Sequence, residues 1–415
     1  MNPSAPNPYR LPPAQAHNPG NVKKQKFLEE EQFRRLAETP GRPAALALFE
    51  ERLRRAADVP KTRPRIGVLC NLVPVELILA AGAEAVRLDC GNSASAVAGE
   101  EILSGDVCPL AKATLGQFLR PDSPASACDA LVVPATCDAK RKLAELLADY
   151  KPVFVLSLPP DKDADRHAAV VAAELRRLSA FIAKITGRAA TRASLRAAME
   201  LTARRGDLLR RIQAVRWEKP RALTARDLFA VVQSSLLSPE PLETWLEAGG
   251  RLLAETEAYQ PERRSLRPRL LLTGAPMVWP NFKVLNLLEE CGADVVADTL
   301  CTGVESCLDP AVTDETSLDA LLRALAARSI FGAICPCFTT QTTRIGRVLD
   351  LCEQAAAAGV VNYSLRLCQP FDLESYRLER VLKDRRIPVM NLRTDYSLED
   401  TEQLRVRLEA FLETL

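Results

Sequence analysis

The chain has 415 residues, 47% hydrophobic and 26% charged, enough to bury a substantial core and to divide into two or three domains. Its 55 lysines and arginines against 53 acids create no global field for nucleic acid or an anionic membrane, so neither is an expected partner. Only two histidines occur, His17 and His167, which argues against histidine-based zinc sites and Ser–His hydrolysis.

The first ~24 residues, rich in Pro and Asn, read as a flexible or surface-draped arm with no apolar secretion core. No apolar run approaches the roughly 18 residues of a membrane span. A cytoplasmic location is expected, and there twelve cysteines are free thiols, redox groups or metal ligands rather than a disulfide framework.

Residues 25–63 contain QKFLEEEQFRRLAET and RPAALALFEERLRRAADV, both with apolar residues at helical spacing, and predict two helices packed on the main body. Over 64–162 the pattern changes to short β-rich runs alternating with helices: RIGVL, VELILAAGA, AVRLDCG, ALVVPAT, KRKLAELLADY and PVFVLSL. This is the pattern of βαβ units and a parallel sheet. Residues 163–262 show helical periodicity almost throughout and predict a helical bridge.

From 263 to 415 the α/β pattern resumes with PRLLLTG, NFKVLNLLEECGA, DVVADTL, FGAICPC, GVVNYSLRLC and IPVMNLRTD. Pro64-Arg65 and AAGAEAVRLDCG are echoed by Pro268-Arg269 and ECGADVVADTLCTG, and LVVPATC by AICPC, in the same order. The fold class expected is α/β: two Rossmann-like parallel-sheet domains facing each other, with a helical N-terminal segment and a helical insert between them.

The cysteines fall at chosen places. Cys70 follows RIGVL, Cys137 follows ALVVPAT, Cys301 follows DVVADTL, Cys335 and Cys337 follow IFGAI, and Cys368 follows GVVNYSLRL. In open α/β sheets ligands sit beyond the carboxyl ends of strands, where these thiols would converge. Cys108 precedes Pro109, a residue suited to a first helical turn, and Cys137 precedes CDAKRKLAELL; a helix N-terminus and nearby Lys112, Lys140, Arg141 and Lys142 favour thiolate. Cys291, Cys352 and Cys128 read as core residues, because free cysteine behaves as a small buried hydrophobe. Cys90 and Cys307 are left ambiguous. Without a CxxC…CxxC motif, these placements leave both zinc and an iron–sulfur cluster open.

At these residues the sequence resembles the 2-hydroxyacyl-CoA dehydratase and benzoyl-CoA reductase family. GVLCNLVPVELILAAGA, CPLAKATLGQF, ALVVPATCDAKRKLAELL, LLLTGAP, CTG, CPC and RLCQPFDLESYRLERVLKDRRIPVMNLRTDYS resemble its blocks in order over residues ~64–415. The resemblance implies one iron–sulfur cubane on Cys108, Cys137 and Cys368. Cys70, Cys301 and one of Cys335 and Cys337 are similar to the extra thiols of the double-cubane branch, whose members carry an [8Fe-9S] unit; this is favoured over [4Fe-4S]. It further implies a homodimer, and a separate ATP-dependent iron–sulfur activator that delivers low-potential electrons for reduction of a small molecule. The chain has no GxxxxGK[ST] phosphate loop with which to bind ATP itself.

Two alternatives follow from the same resemblance: a [4Fe-4S] subunit of a 2-hydroxyacyl-CoA dehydratase that eliminates water through a ketyl radical, and a non-catalytic electron-storage or cluster-carrier protein. Glu76, Lys112 and Gln369, with Tyr376, are weaker candidates for work beside the cluster. Their ordinary roles would be a helix-dipole partner for Glu76 and loop fixation for the others.

Overall fold

The computed structural model describes residues 19–39, 41–120, 123–260, 265–339 and 342–415. Most of the expected arm lies outside them. Its last residues do not: a helix begins at Pro19, a residue at home in a first helical turn, and runs to Ala37. With a second helix, Leu46–Arg54, it covers the body. Phe33 and Leu36 are buried there, and the Phe33 ring lies 4.6 Å from that of Trp279.

Two four-stranded sheets carry the fold. The first comprises β1 (Arg65–Val68), β2 (Glu84–Arg87), β3 (Ala130–Pro134) and β4 (Val153–Leu156) in the order β2-β1-β3-β4. The second comprises β5 (Arg269–Gly274), β6 (Asp294–Asp298), β7 (Gly359–Leu365) and β8 (Val389–Thr394) in the order β6-β5-β7-β8. All pairings are parallel. The orders are the same, so the duplication read from the sequence is one of topology. Central strands β3 and β7 are buried along their whole length, as near-continuous Val and Leu runs covered on both faces should be.

Between the sheets run four helices, Ala164–Thr186, Arg192–Glu218, Ala225–Leu237 and Leu242–Ala258. Asp163, Thr191 and Thr224 cap the first three through their side chains, and Gly187 ends the first in a left-handed conformation with φ of 69°. Gly91 joins the lobes: its amide donates to the Trp279 carbonyl at 3.1 Å, and a Cβ there would fall 1.9 Å from the Val278 oxygen. Among the described residues no helix is long and apolar enough to cross a membrane.

One expected strand is absent. IFGAI does not form a strand; the helix Leu318–Ala326 continues through a single π-turn, Ala327–Phe331, into an irregular segment. A short apolar run has the same composition in a strand and in a buried helix end, and periodicity cannot separate them. The counterpart of β3 is therefore β7, so Cys137 is matched by Cys368 and not by the AICPC cysteines.

Candidate functional site

In each sheet the chain leaves the central pair of strands in opposite directions, which opens a crevice beyond their carboxyl ends. Cys70 follows β1 and Cys137 follows β3, on the two sides of the first switch point. Cys368 follows β7 at the second. Cys108, Cys137 and Cys368 are each the N-cap residue of a helix: Pro109–Phe118, Asp138–Leu147 and Gln369–Asp384. None of them uses a side-chain cap bond, so positive helix ends are presented beside three sulfurs. The helix behind Cys108 packs against Ser93–Gly99 so closely that a Cβ on Gly116 would fall 1.8 Å from the Ser95 oxygen.

Cys301 sits in the turn after β6. The Asp298 carboxylate accepts the amides of Leu300 and Val304, at 3.0 and 3.3 Å, and Arg87 donates to the Cys301 carbonyl at 2.8 Å. Cys335 and Cys337 lie on the irregular segment after the π-turn. Lys162 ties that segment through the Ala333 carbonyl, and the Thr339 amide does so through the Pro160 carbonyl.

All seven nominated thiols, Cys70, Cys108, Cys137, Cys301, Cys335, Cys337 and Cys368, line one cavity of about 430 Å³. Among the described residues no three metal-binding side chains draw together around a single point; the thiols surround a space instead. Their mutual influence divides them in two. Cys368 shares a hydrogen bond with Cys108 and feels Cys137, whereas Cys301 feels Cys70 and Cys335, and Cys335 is hydrogen-bonded to Cys337.

The hydrogen bond from Cys368 holds the Cys108 thiol down to about 7 against burial, with the Leu110 and Ala111 amides and Lys140 assisting; its partner Cys368 is raised. Burial pushes Cys301 up to about 12, with Arg87 opposing. Cys335 is raised by its hydrogen bond to Cys337 and by burial. Cys301, Cys335 and Cys368 are therefore held as thiols whose protons a bound metal would displace, at a cost that buried cations reduce.

Of those cations the sequence points only to Lys140; Arg87 and Arg344 join it through the fold. Arg87 is buried, binds Asp89 at 2.6 Å and reaches the Cys301 sulfur at 3.9 Å. Lys140 donates to the Leu69 carbonyl at 2.7 Å and lies 3.8 Å from Asp89. Burial opposes its charge, but Cys70 and Asp89 outweigh it and the ammonium is raised. Lys140 acts on thiols of both sets, Cys108 as well as Cys70, Cys301 and Cys335. Arg344, buried in an ion pair with Glu374 and bonded to Thr273 at 2.7 Å, faces Cys335 and Cys301 electrostatically.

The weaker candidates separate. Gln369 lines the cavity. Lys112 does not: it is bound to Glu100 at 2.5 Å and to the Gly105 carbonyl at 3.1 Å. Glu76 is buried away from the thiols, held by Arg328 at 2.7 Å and by the Thr202 hydroxyl at 2.8 Å. Tyr376 is exposed on its helix. Cys128 and Cys352 are core residues, Cys90 and Cys291 pack against the core, and Cys307 is buried outside the thiol cavity.

The sequence model of 2-hydroxyglutaryl-CoA dehydratase, D-component, matches residues 70–415, which hold every thiol of the cavity. The chain belongs to this family. Among curated members it is 31% identical over 357 residues to the "Putative dehydratase subunit YjiM" of Escherichia coli, covering 85% of this chain and 91% of the relative. It is 23% identical over 392 residues to subunit beta of (R)-2-hydroxyglutaryl-CoA dehydratase of Acidaminococcus fermentans, covering 90% and 100% of the two chains. The beta subunit of (R)-phenyllactyl-CoA dehydratase of Clostridium sporogenes is 21% identical over 355 residues, with 84% and 91% covered. The matched span begins just after β1 and contains the other seven strands as well as the cavity thiols.

Proposed function

We propose that the cavity thiols hold an iron–sulfur cluster of the double-cubane [8Fe-9S] type, and that the chain is a reductase. It accepts low-potential electrons from a separate ATP-dependent iron–sulfur activator and reduces a small molecule. The observation that carries this reading is the number and grouping of the thiols: Cys108, Cys137 and Cys368 form one set, and Cys70, Cys301, Cys335 and Cys337 a second, around the same cavity. A single cubane uses only one set. One of Cys335 and Cys337 is then spare.

Bound there, the cluster supplies single electrons at low potential. The chain's own residues set the conditions. Three helix ends and the buried Lys140 and Arg87 offset thiolate charge, while the apolar wall of Leu69, Leu110, Leu143 and Phe371 limits water. A cytoplasmic homodimer is part of this proposal.

The names of the relatives fit a second reading equally well, a [4Fe-4S] subunit of a 2-hydroxyacyl-CoA dehydratase using Cys108, Cys137 and Cys368 with a non-identical partner chain. Anaerobic iron and sulfide analysis separates them. The first reading requires about eight irons per chain, falling to about four in Cys301→Ser. A wild-type value of about four, unchanged in Cys301→Ser, would establish the second reading and overturn the first.

A further inference from the structure

A second chamber, about 800 Å³, lies against the thiol cavity. The two share Cys70, Asn71, Ala333 and Ile334 in their walls. Arg87 lines the chamber and reaches the Cys301 sulfur at 3.9 Å, so whatever occupies the chamber is one side chain from the second thiol set.

Six arginines and six carboxylates line it, but they do not all pair with one another. The carboxylates that are not exposed already have arginine partners outside the wall: Glu84 is held by Arg65 at 2.8 Å, Glu305 by Arg347 at 2.8 Å and Glu240 by Arg52 at 3.3 Å. Arg205, from the helix Arg192–Glu218, is only 8% exposed and lines the chamber without a carboxylate partner among the described residues. Its Nη1 reaches the Ser235 hydroxyl at 3.4 Å, and its Nε has no hydrogen-bond partner. The exposed rim of the wall is mixed, with Arg188 and Arg204 beside Glu200, Glu243 and Asp309, so the unpaired buried charge is that of Arg205.

A buried guanidinium left without a counter-charge is costly, and its planar fork matches a carboxylate or a phosphate. We infer that this chamber is a binding site for a small oxyanion, a molecule carrying a carboxylate or phosphate group, with Arg205 as the residue that grips it. Its volume suits a ligand considerably larger than the anion alone. That the ligand is the acceptor of the proposed reductase rests on the cluster reading above; that it binds does not.

The test is calorimetric titration of the full chain, prepared anaerobically at fixed ionic strength, both metal-free and iron-loaded. Inorganic phosphate and acrylate serve as separate probes. Saturable one-to-one binding of either supports the site, and the tighter probe identifies the group. Arg205→Met weakens that binding at least tenfold, Arg205→Lys several-fold, and Arg377→Met, on an exposed position elsewhere, leaves it unchanged. If Arg205→Met does not fold, Arg205→Lys decides. Binding of neither probe, or equal binding by wild type and the Arg205 variants, overturns the inference. Binding to the metal-free chain together with a low iron content refutes the cluster reading and leaves the anion site standing. In the iron-loaded chain the bound probe also changes the visible absorption of the cluster. Binding without that change removes the link to the thiols.

Discussion

Lys140 provides the sharpest test of how the protein moderates charge at the thiols. Its ammonium is buried between the two sets, anchored on the carbonyl before Cys70 and held near Asp89. At a separation of roughly 6 Å and an effective dielectric of about 20, one charge contributes 332/(20 × 6), or about 3 kcal/mol. For a one-electron couple that corresponds to roughly 120 mV. Asp89, 3.8 Å from the ammonium, cancels part of it. Removing the charge in Lys140→Met is therefore expected to lower the midpoint potential by roughly 50 to 100 mV, because adding an electron is then less compensated. Lys140→Arg keeps the charge and is expected to stay within roughly 20 mV of wild type. The assay is a redox titration of anaerobically loaded protein followed by electron paramagnetic resonance, with iron content measured on each sample. A Met variant with full iron and an unshifted midpoint would refute the placement of this charge between the sets.

Two further predictions concern stability. Glu76→Gln leaves Arg328 without its buried partner and is expected to cost about 3 kcal/mol in urea unfolding at neutral pH, with iron content unchanged. The Glu76 carboxyl is held below its ordinary 4.5 by Arg328 against burial. Its contribution is thus full above that value and lost as pH falls through the lower folded value, and the gap between wild type and variant narrows in acid. A lost-iron phenotype would instead place Glu76 in the site. Burial pushes Asp298 the other way, up to about 7 from 3.8. The folded chain then keeps a proton that the unfolded chain has released, so this group's contribution declines as pH rises from about 4 to about 7. Asp298→Asn is expected to flatten that part of the stability profile; an unchanged slope would show that another group carries it.

Much of the architecture was legible because alternating β-rich and amphipathic segments have different periods, and all eight strands fall on runs expected to form them, with IFGAI the one expected strand that does not form. AVRLDCG was the looser case, its strand closing at Arg87 before the leucine. The convergence of the thiols was also foreseeable, since strand ends and helix caps of a doubly wound sheet share one rim. Cys335 and Cys337 reached that rim by a different route, through a π-turn that apolar composition does not reveal. Two of the buried cations were hidden for a plainer reason. Lys140 was legible from its place beside Cys137, but Arg87 and Arg344 read as surface residues in a linear chain, because only the fold brings Asp89, Glu374 and the sulfurs beside them. Arg205 was invisible for the same cause, its lack of a partner being a property of three-dimensional surroundings.

Each thiol set draws on both sheets: Cys108 and Cys137 need Cys368, and Cys70 needs Cys301 and the Cys335 segment. On the ribosome these residues do not emerge together. From Cys137 to Cys368 is 231 positions (368 − 137), which at roughly 5–20 residues per second takes roughly 12 to 46 s. Throughout that interval Cys108 and Cys137 lack Cys368, and Cys70 lacks a full set until the Cys335 segment has been made. Anything held by either complete set can therefore enter only late in translation or after it, into a nearly finished chain, and its supply is a maturation step distinct from the making of the first lobe.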